Sequence, residues 1–117
     1  HVDGAGYLDW WDGTKLRDEP GYVTHLVTRH AVRFLEESRD RPFCLYVAHQ
    51  APHYPYQGPD DPPMRVAGRK ADGEAYAPGQ VARAYREMLR EMDKGVGEIV
   101  ATLERLVNIE SGSYDTE

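Results

Sequence analysis

Apolar residues recur at intervals of three and four in two stretches of the chain, and in one short stretch they run without interruption. From Thr24 to Ser38, Leu26, Val27, Ala31, Phe34 and Leu35 gather on one side. His25, Arg29, Arg33 and Glu36 fall on the other, which predicts an amphipathic helix over 24–38. Thr24 suits its N-cap because a hydroxyl there accepts from an unbonded first-turn N–H, and Pro42 ends it by pushing the residue before it out of helical geometry. The same spacing returns in Val81, Ala84, Tyr85, Met88, Leu89, Met92, Val96, Ile99, Val100, Leu103 and Leu106, predicting a helix over 80–107. It would be roughly 40 Å long at 1.5 Å per residue. Gly95 and Gly97 inside it each cost about 1 kcal/mol relative to alanine. Their presence points to close approach by another backbone or to a local bend.

The uninterrupted run is Phe43 to Ala48 (FCLYVA), short and rich in aromatic and β-branched residues, the pattern of a strand covered on both faces. A buried strand at 43–48 between two helices predicts an α/β layer, and such a strand requires partners. Residues 1–20 mix Gly, Asp, Tyr and two Trp without a period and read as an irregular loop anchored by aromatics. Prolines at 52, 55, 59, 62 and 63 deny helix to the residues after the strand, and Gly58 with Asp60-Asp61 adds turn chemistry. Residues 64–79 read as a polar surface excursion and 108–117 as a frayed polar tail.

At 117 residues the chain is one domain at most, and its 14 basic against 20 acidic side chains give a net charge of −6. Neither nucleic acid nor an anionic membrane attracts such a surface. Cys44 is the single cysteine, which excludes an internal disulfide framework and a multi-cysteine zinc site. Set in the apolar run, it reads as a buried structural thiol. No stretch approaches the ~18 apolar residues of a membrane span. The chain opens at His1 without an initiator Met and reads as a segment of something longer.

The chemistry concentrates after the strand. His53 lies between Pro52 and Pro55, in the loop beyond a strand's carboxyl end where α/β proteins place ligands. Held there, an imidazole can contact an anion or protonate a leaving group; the bland alternative is a solvated loop histidine. His49 and His53 are four apart, but the proline between them removes the helix that would aim both at one zinc ion. His49 is expected at the strand exit, bonded to backbone or lining the same pocket. His25 and His30 read as a solvated helix face, and Asp60 and Asp61 as turn formers in preference to cation ligands. Trp10, Trp11 and Tyr7 read as anchors of their loop in preference to a sugar platform.

The stretch from Pro42 through Phe43-Cys44-Leu45-Tyr46-Val47-Ala48-His49-Gln50-Ala51-Pro52-His53-Tyr54-Pro55 to Pro59 resembles the central segment of sulfatases of the alkaline phosphatase superfamily. Gly21-Tyr22-Val23-Thr24 and Arg39-Asp40-Arg41-Pro42 resemble the ends of the family's helix before that strand. Tyr85 through Met92-Asp93-Lys94-Gly95 to Leu106 resembles its long following helix, and Asp3, Gly4, Asp9, Trp10 and Trp11 resemble the opening of some bacterial members. The resemblance implies sulfuric ester hydrolysis at a formylglycine beside calcium, acting on a sulfated small molecule or sulfated carbohydrate. It makes His53 the catalytic, sulfate-contacting histidine and brings His1 near the substrate pocket. It also implies a partial alkaline-phosphatase/sulfatase-like α/β layer with the buried strand between two helices.

The residues that the family's nucleophile and metal require are not in this sequence. Formylglycine forms from Cys or Ser followed by any residue, Pro or Ala, any residue and Arg, whereas Cys44 precedes Leu45-Tyr46-Val47-Ala48. The paired metal-binding aspartates and the later catalytic lysine are missing too, so none of the cofactor sites is expected to be complete and the isolated chain is expected to be inactive. One histidine cannot supply all the positioning and charge stabilisation that ester hydrolysis needs. The alternatives are a phosphodiesterase or phosphonate hydrolase segment of the same superfamily, or a non-catalytic helical module that self-associates through 80–107. The family is often periplasmic or secreted; the location of this chain is left open.

Overall fold

The computed structural model describes residues 1–71 and 75–111, with side chains described as far as residue 107. Both expected helices form. The first, α1, runs Val23–Ser38 and the second, α2, Gln80–Ser111. Thr24 does not cap α1: the N-cap position belongs to Tyr22, whose side chain makes no capping bond, and Thr24 lies one residue inside. The helix backbone of α2 continues through the first four residues of the expected tail; residues 112–117 lie outside the described residues.

The two helices pack side by side and parallel. His25 meets Glu91, Thr28 meets Gly95 and Glu36 meets Arg105, so both chains advance in the same direction. On α1 the buried positions are Thr24, Leu26, Thr28, Ala31, Leu35 and Ser38; Ala84, Met88, Gly95 and Thr102 are buried on α2. Most of these are small, which lets the axes come close. The expected close approach is found at Gly95, where a Cβ would strike Thr28 Oγ1. Around Gly97 a Cβ would have nothing within 4 Å, so that glycine serves no packing. Thr28 Oγ1 is itself satisfied, donating to the Thr24 carbonyl at 3.0 Å.

Phe43–Ala48 does not form the expected ladder. It carries no strand assignment and no backbone hydrogen bonds among the described residues, because no second strand lies beside it. Its side chains still alternate: Leu45, Val47 and His49 are half-buried, whereas Cys44, Tyr46 and Ala48 are exposed. Cys44 is therefore not the buried thiol that the apolar run suggested. The segment rests on α1 through Phe43 and Phe34, whose rings meet edge to face at 5.6 Å.

Two short strands form instead inside the opening loop. β1 (Trp11–Asp12) and β2 (Lys15–Leu16) pair antiparallel, Trp11 opposite Leu16 and Asp12 opposite Lys15. Gly13 turns the chain with φ of 61°, the left-handed geometry that two-residue hairpin loops need. The presumed surface excursion is tied down as well, with Gly68 N–H donating to the Gly6 carbonyl at 2.8 Å and Ala71 N–H to that of Gly4 at 3.0 Å.

The result is a thin α/β slab, 68 × 34 × 18 Å, with a radius of gyration of 18.1 Å, where a compact chain of this length would have about 13 Å. Its 8642 Å² of accessible surface exceeds the roughly 6,500 Å² of a compact fold. Part of it is apolar: Val96, Val100, Leu103 and Val107 stand exposed along α2. Among the described residues no helix is long and apolar enough to cross a membrane.

The glycine contrast is testable. Gly95→Ala should lower the stability of the chain by about 1–3 kcal/mol despite alanine's better helix propensity, because Thr28 must move. Gly97→Ala should be neutral or stabilising by up to about 1 kcal/mol. Urea unfolding followed by circular dichroism separates them, and equal effects at the two positions would contradict the packing described.

Candidate functional site

The extended segment delivers the chain to the N-terminal end of the helix pair, and there the prolines hold a loop. Ala51 is buried, and His53 N–H donates to the Gln50 carbonyl at 2.7 Å, closing a turn that contains the cis Ala51-Pro52 bond; Tyr54-Pro55 is also cis. His53 itself is exposed. Its Nδ1 donates to the Tyr54 carbonyl at 2.6 Å, which fixes the neutral ring as the Nδ1–H tautomer and leaves Nε2 without a protein partner among the described residues.

The rest of the loop is pinned on both sides. Tyr22 Oη donates to the Gln57 carbonyl at 3.0 Å, and the Gln57 amide bridges the Pro62 carbonyl at 2.7 Å and Met64 N–H at 3.3 Å. Asp61 closes the next turn, accepting from Gly58 N–H at 2.8 Å and from Arg83 of α2 at 2.6 Å. Arg83 also donates to Glu87 at 2.6 Å. A Cβ at Gly58 would meet the Glu87 carboxylate, which would have to swing away from Arg83 to make room for it. Burial raises the pKa of Asp61, but the Gly58 N–H and the Arg83 guanidinium outweigh it and hold the carboxyl below its usual range. The expected turn role of this acidic pair is thus found at Asp61.

This loop, the start of α1 and the first residues enclose a cleft of about 930 Å³. His1, His49 and His53 all line it, with Gln50, Tyr54 and Arg65. His1 is held by Nδ1 donating to the Asp9 carbonyl at 3.2 Å. Both ring nitrogens of His49 are shielded and have no hydrogen-bond partner among the described residues, and burial pushes its pKa below the ordinary histidine range. It lines the pocket, one of the two placements expected for it. Gly21, Tyr22 and Val23 at the start of α1 also line the cleft; the first turn has no acidic residue and no side-chain cap. Unbonded N–H groups and the positive end of the helix dipole there favour an anion. The cleft's own carboxylate, Asp61, is already paired with Arg83.

The histidines of α1 were read as solvated, and the structure gives them partners. His25 Nε2 lies 2.9 Å from Glu91, its ring edge-on to Tyr22, and so bridges the two helices. Lys94, first, and then His25 hold the Glu91 carboxyl below its usual range. His30 is bracketed by Glu19 at 2.7 Å on Nε2 and Arg33 at 2.8 Å on Nδ1. Arginine can only donate, so Nδ1 accepts and the Nε2–H faces Glu19. Glu19 also accepts from Trp10 Nε1 at 3.0 Å, which makes Trp10 the anchor expected of the aromatic loop. Trp11 and Tyr7 are largely exposed and anchor nothing of the kind. The His25–Glu91 and His30–Glu19 contacts could not be read from helical spacing, because each joins α1 to a residue outside it.

Among the described residues no group of three His, Cys, Asp or Glu converges to hold a metal ion. Cys44 stands outside the cleft lining and lacks the sequence around it that formylglycine needs. The residues present therefore fit neither calcium nor formylglycine.

The sulfatase family profile matches residues 2–108, and the chain belongs to that family. It is 28% identical over 120 aligned residues to an uncharacterised sulfatase, YdeN, of Escherichia coli, an alignment covering 98% of this chain and 19% of that protein. It is 39% identical over 55 residues to an N-acetylglucosamine-6-O-sulfatase of Bacteroides thetaiotaomicron, covering 45% of this chain and 10% of that protein. The chain thus spans a fifth or less of the length of the relatives it matches. No solved structure matches it.

The Asp61 latch has a definite pH signature. A carboxyl whose pKa is depressed on folding stabilises the fold fully above its unfolded value and loses that contribution as pH falls through the folded one. Asp61→Asn should therefore lower the thermal midpoint at pH 6, and the difference from the parent chain should shrink below about pH 4. A difference that persists unchanged at pH 3 would show that the carboxylate is not what holds the turn.

Proposed function

We propose that this chain supplies the histidine wall of a sulfatase active site, with His53 as the group that contacts the sulfate ester and His1 beside it in the substrate pocket. The reading is supported most by the geometry at His53. Its Nδ1 is committed to the Tyr54 carbonyl and its Nε2 is unpartnered in a cleft that the uncapped start of α1 also lines. A ring held this way, once protonated, donates Nε2–H to a sulfate oxygen or passes that proton to the ester oxygen as the S–O bond breaks. The chain's own part is thus to bind, to orient and to hold one proton. The attack on sulfur needs residues that it does not contain.

In the family, calcium and formylglycine supply the charge stabilisation and the nucleophile, and the resemblance implies a fold of the alkaline phosphatase superfamily. The substrate class is a sulfate ester, with a sulfated carbohydrate favoured by the partial match to an N-acetylglucosamine-6-O-sulfatase.

Titrating the chain with inorganic sulfate near pH 6, followed by the ring resonances of the histidines, tests this reading. His53 should shift with an affinity on the order of millimolar, His53→Ala should abolish the response at the cleft, and aryl sulfate should not be turned over. Equal or stronger binding of methylphosphonate would favour a phosphonate or phosphodiester hydrolase instead. Absence of any His53 response to either anion would remove the reading.

A further inference from the structure

The four tyrosines beside His53 form a cluster with no role in the chemistry proposed above. Tyr54 and Tyr56 follow the histidine, Tyr76 comes from the stretch leading to α2, and Tyr85 from α2 itself. Ring centroids lie 6.0 Å apart for Tyr54 and Tyr56, 6.4 Å for Tyr54 and Tyr76, 6.2 Å for Tyr56 and Tyr76, and 5.9 Å for Tyr56 and Tyr85. One contact in the cluster is directional: Tyr56 N–H donates to Tyr76 Oη at 2.7 Å. That bond falls two residues beyond the Tyr54 carbonyl, the group on which His53 Nδ1 rests.

We infer that Tyr76 is a positioning residue for His53: by fixing the backbone at Tyr56 and the ring of Tyr54, it holds the Tyr54 carbonyl where it selects the Nδ1–H tautomer and reserves Nε2 for the ligand. A neutral histidine free of such a bond populates both tautomers, so the carbonyl decides which nitrogen carries the proton. The loop around the carbonyl has no ladder, Pro55 has no N–H to offer, and Tyr56 N–H is the next backbone donor along the chain. Tyr76 takes that donor and packs on the ring at Tyr54, acting at both sides of the carbonyl. The inference deepens the assignment of His53 as the sulfate-facing residue, but the tautomer is a property of the folded chain and can be measured with no anion present.

The experiment is nitrogen-15 NMR of the histidine rings above their titration range, in the parent chain, Tyr76→Phe and Tyr85→Phe. Tyr76→Phe removes one hydroxyl and keeps the ring; Tyr85→Phe is the control, since the Tyr85 hydroxyl makes no bond to the loop among the described residues. The parent chain and Tyr85→Phe should show His53 with a pyrrole-like Nδ1 and a pyridine-like Nε2. In Tyr76→Phe both nitrogens should move towards averaged shifts while the His25 and His30 signals stay in place. Adding sulfate then tests the companion reading separately: a neutral Nδ1–H ring offers sulfate only a lone pair at Nε2, so the parent chain should bind sulfate through the protonated ring alone, whereas Tyr76→Phe, which also populates the Nε2–H tautomer, should lose several-fold less of its binding when the rings are neutral.

The inference is overturned if His53 keeps the same tautomer in Tyr76→Phe with helical circular dichroism preserved, or if the parent chain already holds Nε2–H. Should Tyr76→Phe unfold, Tyr76→Trp, which retains a packed ring without that hydroxyl, is the substitute, and an unchanged tautomer there overturns it equally. A tautomer shift without any sulfate binding would keep Tyr76 as the positioning residue and remove only the sulfate assignment.

Discussion

The contact between Thr28 and Gly95 is the constraint from which the rest follows. It brings two helices together in parallel, and parallel neighbours oblige the chain to travel back along the length of the first before starting the second. For the 16 residues of α1 that distance is about 24 Å, which an extended chain at about 3.3 Å per residue covers in about seven residues. Phe43 to His49 make that return, and the next residues, Gln50 to His53, emerge at the helix N-termini. The histidine loop is where it is because two small residues let two helices run the same way.

At that end of the pair, electrostatics and stiffness act together. The start of α1 offers unbonded amides, and the cleft's carboxylate is neutralised by Arg83 within a chain that is acidic as a whole. Backbone that belongs to no sheet is nevertheless held, by side chains in place of a ladder: Tyr22 and Gln57 at the middle of the loop, Asp61 and Arg83 at its far end, Tyr76 next to the histidine. Each fixes a main-chain group that would otherwise be free to seek water. Such a loop lowers the entropic cost of presenting His53 to a ligand, because much of the ordering is done before binding.

How much of this the sequence disclosed depended on the range of the interaction. Both helices were legible, since a period of 3.6 is local, and the demand of Gly95 for close approach could be stated without knowing that Thr28 would answer it. The place of His53 in a stiff loop lining the cleft was legible from Pro52 and Pro55 around it, and the resemblance to sulfatases is borne out at the level of the family. Three features were not. The Phe43–Ala48 ladder failed because pairing belongs to two strands and this chain brings only one of them to that place. The hairpin at Trp11–Leu16 was carried by Gly13-Thr14, a turn signal that the aperiodic aromatics around it obscured. The pairing of His25 with Glu91 and of His30 with Glu19 depends on which segments meet, which no helical spacing encodes.

The most direct test of whether the chain alone holds the histidine loop in order is backbone nitrogen-15 relaxation across residues 50–63 in the absence of any ligand. Order parameters close to those of α1, about 0.8 or above, are the expected result; values below about 0.6 across Gln50 to Asp61 would contradict it and leave His53 without a defined position.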